Sequence, residues 1–462
     1  MGIKRVTFIG LIVAASLIAA APAGADDFSD GKALGKAAYE YGFPLLENLR
    51  TRAQDLKSMA PINRMANARN LATADDRSVV APNSDTNYSL AQIDLKDGPV
   101  ILRVPKMDKR YWVFEFVEPY TNVEGYIGRR LNGSAGGTWA IRWTGGPSGG
   151  KLPAGVKIFN SSSRRLWCIG RTLVNGKKDL PKVRSLMGQY RLGTLAELKA
   201  NKLPKPLSLT PGRPFGTQPT GLALLRKLRT AIAENPPPQR DAAIIAQLQA
   251  AGIAPGGAVA SVDDIASQQF KDGLADGVDE AAAALKTETR SSILKGAITN
   301  GGWFDAASTI GDYGVDYGFR ARVALVGLGA NTPIESVYPV NLTDSDGHLL
   351  QGPNKYRLVF PKGQLPPVKS TGFWSITLYD SAGFLIPNKD NIYSVGPWHP
   401  PLREKADGSV VIVMQPTKPT EKDVNWLPSP KTGTFRLIGR FYNPTPSILD
   451  GSWQKPSSVK VG

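Results

Sequence analysis

The chain contains 462 residues, with 56 Lys and Arg against 39 Asp and Glu, so its formal net charge at pH 7 is +17. This length exceeds one ordinary domain and predicts two or three. The basic residues are scattered and no nucleic-acid-binding signature occurs, which argues against a nucleic-acid partner. The single cysteine, Cys168, excludes an internal disulfide, and its place in an alternating strand pattern predicts a buried core residue.

The N-terminal residues predict export. Two basic residues precede an almost wholly apolar run at residues 6–21, and the small residues 23–25 suit signal peptidase. The apolar run is too short and too rich in alanine for a comfortable membrane span. We therefore expect residues 1–25 to be a signal peptide cleaved after Ala25. The mature protein is then expected to be periplasmic or secreted, without stable membrane insertion.

Residues 26–190 are predicted to combine one helix with a β-sandwich. Apolar residues recur every three or four positions from about residue 31 to 59, a pattern typical of a helix. After residue 89 the period changes to two, and short strands alternate with Gly- and Pro-rich turns up to about residue 180. Strands this short, with turns this frequent, indicate an antiparallel sandwich.

The remaining chain divides into a helical segment and a second sandwich. A Pro-rich linker and helical patterns occupy residues 191–310, the last of them with Phe270, Leu274 and Val278 on one face. From about Val323 alternation returns, and residues 311–462 are predicted to form a jelly-roll sandwich. Its clearest strands are YRLVF, FWSITLYD, VVIVMQ and FRLIGRFY. The predicted fold class is mainly β.

Several sequence blocks resemble two bacterial domain families of unknown function. The first set resembles the family numbered 1254 and reads APNSDTNYS, DLKDGPVILRVP, PYTNVEGYIGRR and LWCIGRTLV. The second set resembles its usual C-terminal companion, numbered 1214, and reads DYGFRARVALVGLGAN, YRLVF, FWSITLYD, NIYSVG, NWLPSP and FRLIGRFYNP…GSW. The resemblance implies an immunoglobulin-like sandwich, a helical segment and a jelly roll, and it implies no established reaction. Arg130 stands where we expect threonine, so its loop is expected to differ in its ligand.

Two loops of the first sandwich are rich in polar and aromatic residues. One, at residues 81–89, precedes a strand, and the other, at 119–126, follows one. Such loops can supply the hydrogen bonds and flat apolar surface that a polar small molecule or glycan needs. Their alternative role is a purely structural hydrogen-bond network, because Asn and Asp also stabilise turns. The candidate ligand-binding residues here are Asn83, Asp85, Tyr88, Tyr120 and Asn122.

The C-terminal region contributes further candidates for ligand binding. Most of them lie at strand ends or in loops, whereas Arg320 interrupts an apolar stretch. Arg440 also alternates with apolar neighbours, and we expect it to be half-exposed or paired with a carboxylate. The C-terminal candidates are Arg320, Tyr379, Asn388, Tyr393 and Trp426.

Known catalytic signatures are missing from the sequence. The two histidines, His348 and His399, have no metal-ligand spacing, and there is no nucleophile elbow, P-loop or dinucleotide fingerprint. We therefore expect no metal and no cofactor. A hydrolase of glycan or amide bonds stays open, with Asp85 and Glu124 as weak catalytic candidates. A structural protein that assembles in the cell envelope is the third hypothesis, and some homo-oligomerisation is expected.

Overall fold

The computed structural model describes residues 27–77, 80–210, 216–397 and 401–461. The predicted signal peptide lies outside these ranges. Among the helices of the described residues, none is both long enough and apolar enough to cross a bilayer. The described chain consists of two β-sandwiches and a helical body.

The N-terminal sandwich packs a six-stranded sheet against a four-stranded sheet. Its strands are β1 (Ala66–Asn67), β2 (Thr86–Asp94), β3 (Val100–Val104), β4 (Trp112–Val117), β5 (Val123–Gly128), β6 (Gly137–Trp143), β7 (Lys157–Ser161), β8 (Arg165–Leu173), β9 (Arg191–Thr194) and β10 (Leu207–Ser208). The larger sheet has the order β10-β1-β2-β8-β4-β5 and the smaller one β7-β6-β3-β9. Alternation sends Ile93, Phe114 and Cys168 into the shared core, where Cys168 is fully buried as predicted.

The C-terminal sandwich has the same two-layer construction. Its strands are β11 (Trp303–Phe304), β12 (Ser336–Val337), β13 (Val340–Asn341), β14 (Tyr356–Phe360), β15 (Val368–Asp380), β16 (Ser394–Val395), β17 (Val410–Gln415), β18 (Asn425–Pro428), β19 (Phe435–Pro444) and β20 (Val459–Lys460). The larger sheet runs β11-β13-β19-β15-β16, with β12 also paired to β19, and the smaller one runs β18-β17-β14-β20. Trp374, Ile376 and Leu378 face the core, as their alternation predicted.

Helices form a separate body beside the N-terminal sandwich. The described helices are α1 (Asp27–Ser58), α2 (Arg129–Asn132), α3 (Leu180–Met187), α4 (Leu195–Lys199), α5 (Gly221–Glu234), α6 (Ala242–Ala250), α7 (Gln268–Thr299), α8 (Tyr317–Gly327) and α9 (Pro446–Leu449). Of these, α1, α5, α6, α7 and α8 share one apolar core. The predicted return of strands at about Val323 is wrong, because that residue lies in α8. The side chain of Asp316 caps α8 by accepting from the Phe319 N–H, and buried residues follow at a helical spacing.

The contact between α1 and α7 brings two helix backbones together. Gly31 and Gly35 of α1 face the Phe270 and Leu274 carbonyls of α7, and Gly277 of α7 faces the Lys32 carbonyl in return. A Cβ atom at any of these glycines would overlap the facing carbonyl oxygen. Glycine is therefore required here by close approach and not by backbone conformation.

The predicted arrangement of two sandwiches separated in sequence by helices is confirmed. Helix accounts for 30% and strand for 26% of the chain, so "mainly β" describes the two sandwiches and only roughly the whole protein. The strands β9 and β10 come from the segment that the sequence assigned to the linker. Helix α1 also touches the larger N-terminal sheet, where the Arg52 guanidinium donates to the Gln92 side chain.

Candidate functional site

The two larger sheets turn their outer faces toward each other, and we call the side chains between them the inter-sandwich layer. Its apolar part is aromatic: the Tyr442 ring stacks on Phe373 with centroids 4.3 Å apart, and the Tyr111 and Tyr442 centroids are 4.8 Å apart. Strand alternation explains the arrangement, since residues of β15 and β19 that do not enter the sandwich core point into this layer. The polar members of the layer are Asn83, Asp85, Tyr88, Glu115, Arg171, Tyr379 and Arg440.

The segment at residues 81–89, predicted to be a loop before a strand, consists of a turn at 81–85 and the start of β2 at Thr86, and it lies buried against the C-terminal sandwich. The carboxylate of Asp85 accepts hydrogen bonds from the Ser375 and Ser394 hydroxyls, both at 2.6 Å. Asn83 accepts from the Asp85 backbone N–H at 2.7 Å, which forms the turn, and its amide donates to the Tyr442 hydroxyl at 2.9 Å. The loop thus makes a turn and also binds the partner sandwich.

Arg440 lies deep in the layer with neutral hydrogen-bond partners. Its guanidinium donates to the Thr377 hydroxyl at 2.9 Å, the Ala81 carbonyl at 2.9 Å and the Tyr379 hydroxyl at 2.6 Å. The Tyr379 hydroxyl in turn donates to the Pro82 carbonyl at 2.7 Å. Arg440 is 4% exposed and forms no ion pair with the described residues. The expectation that it is half-exposed or paired with a carboxylate is therefore wrong.

A second arginine, Arg171, lies in the layer on the outer face of the N-terminal sheet. It donates to the Glu115 carboxylate at 2.6 Å and to the Gly329 carbonyl at 3.0 Å, and its guanidinium lies 5.8 Å from the Tyr88 ring centroid. Glu115 is fully buried, and burial raises the pKa of its carboxyl to about 7 although Arg171 opposes the rise. The other Glu115 oxygen, Oε1, has no hydrogen-bond partner in the described part of the chain.

Tyr88 is half-buried beside this pair. Within the described residues its hydroxyl forms no hydrogen bond, in contrast to the hydroxyls of Tyr379 and Tyr442. The segment after α8 closes another side of the layer, where Glu335 accepts from the Tyr111 hydroxyl at 2.6 Å and from Arg130 at 2.5 Å. Arg130 therefore has a structural ion pair.

The sequence matches two family models. Residues 62–194 match the family described as "Protein of unknown function (DUF1254)", and residues 335–446 match "Protein of unknown function (DUF1214)". The chain belongs to the family that joins these two domains. The DUF1254 match covers the N-terminal sandwich through β9, and the DUF1214 match covers β12 to β19 of the C-terminal sandwich. The predicted resemblance is confirmed.

A solved structure shares the fold. The VPA0106 protein from Vibrio parahaemolyticus is 22% identical, with a TM-score of 0.69 over 94% of this chain and 100% of that chain. An uncharacterized protein from Burkholderia cenocepacia is 12% identical, with a TM-score of 0.44 over 94% of this chain and 95% of that one. The first likeness shows the fold alone, and the second is too weak to carry an argument. No functionally curated protein matches the sequence.

The second polar segment of the DUF1254 domain, at residues 119–126, consists of a turn that leads into β5 at Val123, and the turn makes contacts within itself and with the helical body. Asn122 donates to the buried Glu118 carboxylate from its side chain at 2.7 Å and from its backbone at 2.8 Å. Tyr120 donates to the Asn235 carbonyl at 2.8 Å, at the end of α5. The structure therefore places Tyr120 and Asn122 apart from the layer that holds Asp85.

Glu124 lies on the outer edge of the DUF1254 domain. Its carboxylate accepts from the Ser162 backbone N–H at 2.8 Å and from the Ser162 hydroxyl at 2.5 Å. These contacts tie β5 to the segment that follows β7. The two weak catalytic candidates, Glu124 and Asp85, are consequently not brought together.

Arg320 belongs to the core of the helical body. It is fully buried on α8, with its guanidinium 5.1, 5.7 and 5.0 Å from the ring centroids of Tyr41, Tyr120 and Tyr317. The nearest carboxylate is that of Asp241, at 3.8 Å. The aromatic rings and this ion pair stabilise a charge inside the helices, so Arg320 is not part of the inter-sandwich layer.

Three further candidates in and near the DUF1214 domain support backbone segments. The Asn388 side chain bonds the Ile386 and Ile392 carbonyls and closes a loop. The Tyr393 hydroxyl donates to the Asn391 side chain at 2.9 Å, and Trp426 donates to the Gln415 carbonyl at 2.9 Å. Of the C-terminal candidates, the structure brings Tyr379 into the layer.

A turn in the DUF1214 domain groups three side chains that resemble metal ligands. Ligand atoms of Asp344, Asp346 and His348 lie within 4.8 Å of one another. The buried Asp344 carboxylate accepts from the Asp346 and His348 backbone N–H groups, so it forms the turn itself. His399, the other histidine of the sequence, lies outside the described residues.

Two shallow hollows border α1 and the larger N-terminal sheet. The first leaves almost no space for a water molecule. Water-accessible space reaches about 10 Å³ in the second, close to the minimum for one water molecule. The inter-sandwich layer is closed in this conformation.

Sequence reasoning missed several polar and charged residues of this layer. Arg171, Glu115 and Tyr442 are not among the predicted ligand-binding residues. Arg171 stands in the mostly apolar strand sequence LWCIGRTLV, Glu115 in YWVFEFVE and Tyr442 in FRLIGRFYNP. The signal in the sequence is a charged side chain in such a strand, at a position that alternation places on the face away from the sandwich core.

Proposed function

We propose that the protein binds a small polar molecule in the inter-sandwich layer. The observation that carries the proposal is the convergence of Arg171, Arg440 and Tyr88 between the two domains. Ligand sites occur preferentially at domain interfaces and combine apolar surface with a few convergent polar groups. Phe373 and Tyr442 supply that apolar surface here.

Unpartnered polar atoms support this proposal over a purely structural network. Buried polar groups in native proteins almost always have a hydrogen-bond partner, in the protein or in ordered water. Four buried side-chain oxygens on the segments bordering the layer have none among the described residues. They belong to Ser84, Thr86, Glu115 and Ser336. A bound polar molecule, with accompanying water, would satisfy them.

Size favours a small molecule over a glycan. The layer is closed in this conformation, so a ligand enters only when the two sandwiches separate or the half-buried Tyr88 side chain moves. A small molecule needs less opening than an oligosaccharide does. Domain interfaces of this kind commonly open, because relative domain motion is the default within a chain.

We propose that this site works outside the cytoplasm. The support is the sequence of residues 1–25, with its basic start, apolar run and small residues before Asp26. N-terminal sequencing of the protein recovered from the periplasm or medium of an expressing bacterium tests it. A chain beginning at Asp26 is expected, and a chain that retains residues 1–25 would contradict export with cleavage.

A thermal-shift screen tests the binding proposal. Residues 26–462 are screened against sugars, amino acids and small organic acids, and at least one class is expected to raise the melting temperature saturably. Tyr88→Phe is expected to weaken that shift, whereas Glu124→Gln, on the outer edge of the domain, leaves it unchanged. A screen without any saturable shift would refute the proposal.

A second candidate function is a carboxylate-dependent hydrolase of glycan or amide bonds. The observation that favours it is Glu115, because a carboxyl whose pKa is raised to about 7 can donate a proton at neutral pH. Asp85 lies in the same layer and would serve as the second carboxyl group. Release of the leaving group from chromogenic glycosides and amides, lost in Glu115→Gln, would support this function, and absence of release would exclude it for those substrates.

A further inference from the structure

We propose that the inter-sandwich layer recognises a small oxyanion, a carboxylate or a phosphate group, through Arg440 and Arg171. This inference rests on the proposed function and specifies the class of ligand. It comes from the hydrogen-bond partners of the buried arginines and from the donors that remain free.

Arg440 differs from every other buried arginine of the described residues. The other four each have a carboxylate oxygen within 4 Å: Arg52 with Asp94, Arg110 with Asp179, Arg171 with Glu115 and Arg320 with Asp241. The partners of Arg440 are two hydroxyls and one carbonyl, all neutral. A buried charge without a counterion is costly, and an anion bound next to it would remove that cost.

The carboxylate of Asp85 forms no ion pair with Arg440 within the described residues, although its charge acts on the guanidinium from a greater distance. Both of its oxygens accept short hydrogen bonds from serine hydroxyls, and neither lies within ion-pair distance of Arg440. Asp85 and Arg440 are thus held by separate sets of neutral groups. An oxyanion can approach the guanidinium without displacing an existing ion pair.

The charge of the layer changes with Glu115. Arg171 and Arg440 supply two positive charges against the carboxylates of Asp85 and Glu115, and the Arg130–Glu335 ion pair at the side of the layer adds no net charge. Because burial raises the pKa of Glu115 to about 7, this carboxyl is partly protonated near neutral pH, which leaves a positive excess. That excess favours an anionic ligand over a neutral or cationic one.

The free hydrogen-bonding groups beside the arginines also suit an oxyanion. Within the described residues neither Arg440 Nε nor Arg171 Nε donates a hydrogen bond, and the Tyr88 hydroxyl makes none. All three are donors, and oxyanions are the ligands that offer several strong acceptors at once. Tyr88 is half-buried and so stands at the margin of the layer, where a ligand would arrive.

Calorimetric titration of residues 26–462 with four probes tests the inference. The probes are inorganic phosphate, acetate, citrate and glucose, each at the same ionic strength set with sodium chloride. Saturable binding of phosphate, acetate or citrate is expected. Binding of phosphate alone assigns a phosphoryl group, and binding of acetate or citrate alone assigns a carboxylate.

Variants locate the binding. Tyr88→Phe is expected to weaken oxyanion binding about tenfold, since a hydrogen bond to a charged group contributes about 1.4 kcal/mol or more. Arg440→Gln is expected to abolish it. The control Arg226→Gln, which alters an exposed ion pair on the helical body, leaves binding unchanged. If Arg440→Gln does not fold, Tyr88→Phe still tests whether the oxyanion binds in the layer. This variant is expected to fold, because the Tyr88 hydroxyl has no hydrogen-bond partner to lose among the described residues.

The outcomes separate this inference from the proposed function. Glucose binding that weakens in Tyr88→Phe, without binding of any oxyanion, would overturn the inference and leave a polar ligand site in the layer. Oxyanion binding that is unchanged in Tyr88→Phe and Arg440→Gln would also overturn it. No binding of any probe, together with a screen that finds no ligand, would overturn both.

Discussion

The α1–α7 helix contact and the inter-sandwich layer join parts of the chain in opposite ways. The helix contact places glycines against carbonyl groups, with no space for a Cβ atom. The layer between the sandwiches holds arginines, carboxylates and tyrosines, and four buried oxygens on the segments that border it lack partners in the described residues. The helix contact consists of closely packed backbone, whereas the layer contains polar groups whose hydrogen bonding the fold alone does not satisfy.

This difference separates structural from functional surfaces. A contact that serves stability alone is expected to exclude polar atoms or to satisfy them, because each unsatisfied buried group costs about 1–3 kcal/mol. The helix pair meets that expectation, with salt bridges from Lys32 to Asp276 and Glu280 only at its exposed margin. The layer does not meet it. Exceptions of this kind are expected to concentrate at functional sites.

The largest effect is expected at the helix contact. In Gly277→Val the new side chain would overlap the Lys32 carbonyl oxygen and push α7 away from α1. Overpacking of a close contact costs about 3 kcal/mol or more. Urea unfolding followed by circular dichroism should show a large fall in the midpoint, or no folded protein.

The control for this prediction is a glycine in open space on the surface. In Gly216→Ala the new Cβ has no atom of the described residues within 4 Å, and the stability of the variant is expected to match that of the wild type. A Gly277→Val protein as stable as the Gly216→Ala protein would show that the helices can move apart freely, and the contrast with the layer would disappear.

The next effect concerns pH. Glu115 has a pKa of about 7 in the folded protein, above the ordinary value of 4.5. A raised pKa means that the folded state binds the proton more tightly, so the stabilisation is present below pH 4.5 and is lost as pH rises to about 7. The loss is on the order of 3 kcal/mol for this one group.

Glu115→Gln is expected to flatten this part of the pH dependence. The free energy of unfolding is measured in urea at several values between pH 5 and pH 8 for both proteins. Asp55, whose pKa burial raises to about 6, contributes in the same direction and stays in the variant, so a shallower slope is expected to persist. Identical slopes would show that Glu115 is already ionised throughout this range.

Asp85→Ala tests whether the loop at residues 81–89 holds the sandwiches together. The substitution leaves the Ser375 and Ser394 hydroxyls without their acceptor, which costs about 2 kcal/mol in total. Thermal unfolding should show a lowered melting temperature. Glu124→Ala is the matched control, because its carboxylate also binds a serine but lies on the outer edge of the same domain. Equal effects in the two variants would contradict the distinct role of Asp85.

Much of the fold could be predicted from the sequence, because the relevant signals are local. Alternation identified the strands that carry Ile93 and Trp374, and helical spacing identified α7 through Leu274. The turn formed by Asn83 is also local, since its acceptor bonds the backbone two residues later. The helix α8 was missed because an apolar stretch of this length fits either a helix or a strand.

The candidate site was only partly predictable, because its contacts are distant in sequence. Asp85 meets Ser375 across 290 positions, and Asn83 meets Tyr442 across 359. Nothing near residue 85 specifies those partners. The loop at 119–126 has a similar composition, yet it closes on Glu118 and the helical body. Composition predicted polar loops but could not predict which of them faces the second sandwich.

The smallest expected effect is a difference in stability between variants of two tyrosines in the layer, Tyr442 and Tyr88. Tyr442→Phe removes the hydroxyl that accepts from the Asn83 amide and is expected to cost about 1 kcal/mol of stability. Tyr88→Phe removes a hydroxyl that forms no hydrogen bond within the described residues, so its stability is expected to remain within about 0.5 kcal/mol of the wild type. Urea unfolding of both variants measures the difference. If Tyr88→Phe is destabilised as much as Tyr442→Phe, the Tyr88 hydroxyl already has a structural partner. It would then not be free to bind a ligand.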